Sequence, residues 1–324
     1  MQRKPQLSPS LIFGRKQSPK YVESKSDSTV GVLAVDVGGT KISGAIIDRE
    51  YKILFLKTVS SRETVLGIAD PNLAKTRSLI ATLMKYAEVH KIDLIGGAAG
   101  FPEYVNLDGI LTSHDNIDWR IQPNEDFPES TTIPWVIQSD VRCAGVAEAM
   151  LGSGRRQKDF VYITVSSGIS HTHFVDGLAI SGETGEAIGF GLLEIDVSGV
   201  ALPLENYCSG LGIARRFANF TGDDTLDARA VLALFETNPI AREIVESSAT
   251  VLGREIASLA KSLPTRLFVI GGGLWLGSQK YRELVISSFD ENCVSLGIEA
   301  RITSAAIEHA GLLGAAFYAF KNLE

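Results

Sequence analysis

Six consecutive residues, Asp36-Val37-Gly38-Gly39-Thr40-Lys41, combine a carboxylate, two positions without side chains, a hydroxyl and a cation between two apolar runs. Gly38 and Gly39 let backbone N–H groups close on an anion with no Cβ in the way. A carboxylate, a bare backbone turn and a lysine together suit a magnesium-bound polyphosphate. The same residues would also form an ordinary β-hairpin with a glycine turn. The run alone leaves both readings open.

Such a turn needs elements to hold it. Residues 30–37, 41–47 and 53–59 are rich in β-branched side chains and read as a three-stranded meander around the glycines. Pro71 opens a helical pattern in which Leu73, Leu79, Ile80, Leu83, Met84 and Ala87 share a face. Strands follow at 92–98, ending at Gly100, and at 133–138, where Pro134 keeps its predecessor extended. A short helix at 142–151 ends at Gly152. The run 160–165 is a strand entering Ser166-Ser167-Gly168, and a hairpin with Asp176-Gly177 at its turn comes next. Strand, small-residue turn and returning strand thus occur twice, around Gly38 and Gly168. This weak internal repeat predicts two similar domains facing each other. A long helix at 240–263 stops before Pro264, a strand at 267–270 runs into Gly271-Gly272-Gly273, and a last helix over 305–320 puts Ala310, Leu313, Gly314 and Phe317 on one face.

The chain has 324 residues, enough for two cores, with 45% hydrophobic and 21% charged residues and a net charge of −7. That charge argues against nucleic acid as a main partner. No apolar run approaches the roughly 20 residues that span a bilayer. The three cysteines, Cys143, Cys208 and Cys293, are isolated, and fit a reducing, cytoplasmic setting. The first 29 residues carry Arg3, Lys4, Arg15, Lys16, Lys20 and Lys25 against Glu23 and Asp27, and read as a disordered tail. Its apolar stretch, Leu11-Ile12-Phe13, is too short for a signal-peptide core, and the tail is too short and irregular for a helix-turn-helix reader.

Taken in order, Asp36–Lys41, the segment 96–119, Ser139-Asp140 before a helix, the turn at 166–168, Gly271–Gly273 and His309–Ala316 resemble the ROK family of sugar kinases, within the actin, sugar kinase and Hsp70 superfamily. The likeness covers roughly residues 30–320. It implies an α/β fold of two ribonuclease H-like (actin-like ATPase) lobes around an inter-lobe cleft, with residues 30–139 and 305–324 in the first lobe and 140–304 in the second. It implies ATP and Mg²⁺ as cofactors, a small-molecule sugar, no membrane partner and a possible homodimer. By the resemblance, Asp36 organises magnesium through water, and Gly38, Gly39, Thr40 and Lys41 contact the terminal phosphates. Ser166, Ser167 and Gly168 form a second phosphate loop, and Gly271, Gly272 and Gly273 lie against adenine and ribose. Asp140 takes the proton from the sugar hydroxyl; on the sequence alone it reads first as a helix N-cap. Gly100, Asn116, Ser139 and Glu205 fall at sugar-binding positions, with Trp119 near the end of the same loop. Asn116 is otherwise a turn residue and Glu205 a solvated helix-start carboxylate.

The chain also departs from the family pattern. Ser139 stands where an asparagine is usual. Side chains fill the second phosphate loop, which reads Ser166-Ser167-Gly168-Ile169-Ser170-His171-Thr172. In Gly185-Glu186-Ala187-Ile188-Gly189-Phe190-Gly191-Leu192, Gly189 falls where a sugar-binding glutamate belongs and Leu192 where a histidine belongs. Glu186 or Glu194 would have to substitute from a shifted position. The family's zinc cysteine cluster is missing and Cys208 stands alone, which predicts no zinc. His171, His173 and Asp176 offer no clear third ligand and read as an ordinary hairpin. Two functions follow: ATP-dependent phosphorylation of a hexose or amino sugar through an altered pocket, or a catalytically degenerate relative that binds or senses a sugar or nucleotide.

Overall fold

The structure is a computed structural model and describes residues 29–61, 70–114, 117 and 119–323. Of the tail expected over residues 1–29, residues 1–28 lie outside the described residues, as does the sugar-loop residue Asn116, while Thr29 already belongs to the first strand.

The first sheet contains β1 (Thr29–Val37), β2 (Lys41–Asp48), β3 (Ile53–Ser60), β4 (Ile92–Phe101) and β5 (Trp135–Ser139), in the order β3-β2-β1-β4-β5. The helices α1 (Ala74–Val89), α2 (Pro123–Thr131) and α3 (Asp140–Met150) accompany it. The second sheet contains β6 (Phe160–Val165), β7 (Ile169–Val175), β8 (Leu178–Ala179), β11 (Leu267–Gly271) and β12 (Arg301–Ser304), in the order β8-β7-β6-β11-β12. Between β8 and β11 come the small hairpin β9 (Glu194–Val197) and β10 (Val200–Pro203) and the helices α4 (Leu204–Cys208), α5 (Gly210–Thr221), α6 (Ala228–Ala233) and α7 (Pro239–Ser262). Then α8 (Gly273–Gly277), α9 (Gln279–Leu296) and α10 (Ala310–Leu323) complete the chain.

Both sheets have one plan: an antiparallel meander, β1-β2-β3 or β6-β7-β8, then two strands added parallel to its first member. The repeat seen around Gly38 and Gly168 is therefore a repeat of whole sheets. Each sheet's last strand feeds a helix that crosses over. After β5, α3 packs Val141 and Val146 against Phe160, Tyr162, Phe174 and Val269 of the second sheet's core. After β12, α10 packs Leu312, Ala315, Ala316 and Ala319 against Val32, Ala34, Ala45 and Ala98 of the first. The two helices cross closely at Gly314, where a Cβ would fall 1.7 Å from the Cys143 carbonyl oxygen.

Several boundaries differ from the sequence reading. The strand β4 runs through Gly100 to Phe101, because pairing with β5 continues to Ser139. The helix α3 starts at Asp140, two residues early. The last helix starts at Ala310, not 305. Its expected first turn is instead a crossing strand end, with the Ala305 N–H bonded to the Ile270 carbonyl at 2.8 Å and His309 in the left-handed region at φ 56°. α10 buries more than the expected stripe, since the first sheet covers one side and α3 another. Leu312, Ala315 and Ala319 are buried, while Ala310, Leu313 and Phe317 are half-buried.

Candidate active site

A cleft of about 640 Å³ between the two sheets is lined by Asp36, Gly38–Lys41, Asp140, Ser166–Gly168, Glu205 and Gly271–Gly273. Two carboxylates lie at its centre, and each sits at a helix N-terminus. Asp36, near the end of β1, packs against the first turn of α10, where a Cβ on Gly311 would be 2.8 Å from its Oδ2. Only a residue with no side chain lets the carboxylate approach the helix end, where the macrodipole favours negative charge. Asp140 is the first residue of α3, and its Oδ1 accepts the Val141 N–H at 2.6 Å. Burial pushes the Asp36 carboxyl up, while Lys41 and His309 pull it back. Asp140 is pushed up to about 8, first by burial and then by the charge of Asp36. The Val141 amide opposes the rise, Glu103 adds to it and Arg142 opposes it. A carboxyl titrating there can accept a proton near neutral pH far better than an ordinary aspartate.

Three bare backbone turns ring these carboxylates. At the first, the Gly38 N–H bonds to the Lys41 carbonyl at 2.9 Å, so the hairpin reading and the cleft-lining reading are both realised. At the second, the Ser166 N–H bonds to the Gly168 carbonyl at 2.9 Å, and the N–H groups of Gly210 and Leu211 cap the carbonyls of Ser166 and Ser167. The third turn needs glycine. Gly272 has φ 93°, and a Cβ there would come within 2.4 Å of the Val165 carbonyl oxygen. A hard-oxygen carboxylate, a nearby lysine and glycine turns facing one cavity fit a magnesium-bound nucleoside triphosphate.

Beyond the turns, the cleft is lined by Glu103, Tyr104, Ser113, Ile188, Gly189 and Leu192, with Glu205 between them and the second turn. Glu205 opens α4, and its Oε2 accepts the Ile169 N–H at 3.2 Å, immediately after the second turn. It is aimed at that turn rather than at solvent. Glu103 is buried and organises its own loop, accepting from Ser113 Oγ at 2.5 Å, Ile117 N–H at 3.0 Å and Trp119 Nε1 at 3.1 Å. Trp119 is spent in this way and in an edge contact on Phe101, so it is a core residue.

The ROK family model matches residues 32–322. The chain belongs to the ROK family. Among its relatives, a glucokinase of Streptomyces coelicolor is 29% identical over 269 residues, 75% of this chain and 81% of that protein. A beta-glucoside kinase of Listeria innocua is 26% identical over 304 residues, 89% of this chain and 96% of the relative. The solved ROK family glucokinase from Streptomyces griseus, in complex with glucose and AMPPNP, shares the fold with a TM-score of 0.74. It is 23% identical, and the match covers 90% of this chain and 100% of that one. The fold is the actin-like ATPase fold of ROK sugar kinases.

Against this family frame, several residues lie away from the cleft lining. Ser139 is fully buried, and its Oγ has no hydrogen-bond partner among the described residues. Gly100 lies under Asp140, where a Cβ would fall 3.1 Å from the Asp140 Cα. Both shape the floor beneath the carboxylate. Glu186 turns back on its own loop, accepting from the Thr184 N–H at 2.8 Å and Thr184 Oγ1 at 2.7 Å, and Glu194 is exposed on β9. Of the three glutamates weighed for the sugar end, Glu205 lines the cleft. The space beside Gly189 is taken from across the cleft, since a Cβ there would be 3.1 Å from Tyr104 Oη. His171 Nδ1 accepts the Phe190 N–H at 3.2 Å and His173 Nε2 meets Thr265 Oγ1 at 2.8 Å, so both serve the hairpin. Cys208 is buried and donates to the Ser248 carbonyl at 3.4 Å.

Sequence reasoning passed over Glu103, Tyr104, Arg142 and Glu148. After Asp140, the last two stand in a helix otherwise made of Val, Ala, Gly, Cys and Met, and a charge on its buried side signals a structural task. Glu148 performs one. Its Oε1 accepts the N–H groups of Ala306 and Ile307 at 2.9 and 2.8 Å, and its Oε2 that of Ser153 at 2.7 Å. It thereby fixes the crossing that leads into α10.

Proposed function

We propose that the chain catalyses ATP-dependent phosphorylation of a hydroxyl on a hexose or amino sugar. The observation that carries the reading is the meeting of Asp140 with the Gly38–Lys41 turn in one cleft, opposite Ser166–Gly168 and Gly271–Gly273. In this reading Asp140 accepts the proton of the attacking sugar hydroxyl, whose oxygen forms the new bond to the γ-phosphorus as ADP departs. Gly38, Gly39, Thr40 and Lys41 bind the terminal phosphates, and Ser166, Ser167 and Gly168 close on them from the second sheet. Gly271–Gly273 carry adenine and ribose. Asp36 would hold magnesium through water, and the ion would supply charge neutralisation on the phosphates. Glu205 and Tyr104 hold sugar hydroxyls, with Gly100 and Ser139 supporting the base from below. The division into lobes 30–139 with 305–324 and 140–304 is supported by the crossing of α3 and α10. The curated relatives named above support a phosphotransferase acting on sugars.

The test is release of ADP from Mg-ATP with a panel of hexoses and amino sugars. Turnover of one of them is expected. A second reading, a chain that binds sugar or nucleotide without turnover, draws on Gly189 and Leu192 at the sugar end. Binding without ADP release across the whole panel would establish it.

A further inference from the structure

Arg142 lies two residues beyond Asp140 in α3 and is 1% exposed. Its Nε donates to Gln138 Oε1 at 2.5 Å and its Nη2 to the Val105 carbonyl, both on the first sheet's side. Its Nη1 donates to Ser181 Oγ at 2.9 Å and to the Ser181 and Gly185 carbonyls at 3.4 and 3.3 Å, on the second sheet's side. None of these acceptors is a carboxylate. The carboxylates of Asp140 and Glu186 act on the guanidinium only through space, so the neutral acceptors that its fork reaches are what fix its position. The planar fork reaches two loops at once, which a lysine cannot do.

The two loops it joins already touch. Gly185 has φ 88°, and a Cβ there would fall 2.3 Å from the Val105 carbonyl oxygen. Thr112 Oγ1 donates to the Thr184 carbonyl. Each loop also carries a wall of the cleft. Tyr104 is tied to this seam, because its carbonyl accepts the Thr112 N–H at 2.9 Å and its own N–H bonds to Ser113 Oγ at 2.9 Å. On the other side the Ala187 N–H bonds to the Ser181 carbonyl at 3.0 Å, directly before Ile188 and Gly189.

We infer that Arg142 is a positioning residue: it staples the loop at 103–113 to the loop at 181–188 and so sets Tyr104 against Gly189 at the sugar end of the cleft. Its effect on turnover rests on the sugar-kinase reading; the staple itself does not. The test uses the full chain with Arg142→Met, Arg142→Lys and Thr112→Val. Hydrogen exchange is followed in both loops, and steady-state kinetics are measured with glucose, or with the panel sugar that is turned over fastest. In Arg142→Met both loops should exchange faster, by roughly tenfold or more, while β6 and α7 keep their protection. The KM for sugar should rise about tenfold with the KM for ATP held within about twofold. Arg142→Lys should recover only part of the loss. Thr112→Val, which keeps every Arg142 bond and removes the hydroxyl's contacts with the Thr184 and Tyr104 carbonyls, should move both readouts the same way by less.

Unchanged exchange in either loop of a folded Arg142→Met variant would overturn the staple, and so would equal rises in both KM values. If Arg142→Met does not fold, Thr112→Val decides: faster exchange in both loops supports the staple and unchanged exchange rejects it. If the unmodified chain turns over no sugar, the kinase reading falls and exchange alone judges Arg142.

Discussion

Asp140 is held where its charge is least welcome, and that predicts how the chain responds to its removal. Its folded pKa of about 8 lies above the ordinary value, so between the two the native state holds the extra proton. Stability contributed by that proton is full at acid pH and is lost as pH rises through about 8. Asp140→Asn should therefore cut kcat by roughly 10²–10⁴-fold, the usual worth of a positioned base. The same variant should melt higher than the unmodified chain at pH 8.5, by the few degrees that about 2 kcal/mol supplies, with the gap closing toward pH 4. A melting curve at each pH and an ADP assay check both halves. The pH profile of kcat/KM should show an acid limb, with activity rising toward pH 8 as Asp140 loses its proton. A flat profile from pH 6 to 9 would remove Asp140 from the role of base.

At the level of elements, the crossing of α3 and α10 is the feature most exposed to mutation. A methyl at Gly314 meets the Cys143 carbonyl oxygen at 1.7 Å, and both partners are backbone that cannot yield cheaply. Gly314→Ala should cost about 3 kcal/mol or more and is checked by denaturant unfolding. Glu148→Gln presents an amide nitrogen to N–H groups that need acceptors. It should cost about 1–3 kcal/mol and raise the KM for ATP, because Ala305, Ile307 and His309, in and around the anchored segment, line the cleft. Elements with a single dominant local signal were legible in the sequence. β6 falls on 160–165 as expected because an apolar β-branched run ends abruptly at two serines and a glycine. The glycine turns and Asp36 were legible because composition and position coincide there. The helix α9 was not read, although Tyr281, Val285, Phe289 and Cys293 recur every four residues, since Leu284, Ile286 and Val294 beside them blur the stripe and no proline marks its ends. The sugar end was least legible. Which glutamate reaches the cleft depends on how distant loops cross, as the outward turn of Glu186 and the inward turn of Glu205 show.

For the molecule as a whole, two sheets of one plan face each other across the cleft, and ligand binding should draw them together. A non-hydrolysable ATP analogue at about 100 times its Kd should stabilise the chain by about 2.7 kcal/mol, read as a rise in Tm. Adding a sugar that is turned over should raise the Tm further and shrink the radius measured by solution scattering, as closure expels water from the reacting groups. No thermal shift with the analogue at millimolar concentration would count against the nucleotide site at Gly38–Lys41 and Gly271–Gly273.

The exchange of helices also governs how the chain must be made. The first sheet's β1 and β4 stay uncovered on one side until Leu312, Ala315, Ala316 and Ala319 arrive, and these are translated after every strand of the second sheet. The half that leaves the ribosome first is thus the half that must wait longest to finish its core. Until α10 is made it presents an apolar sheet face, the kind of surface that makes a partly folded chain prone to aggregate.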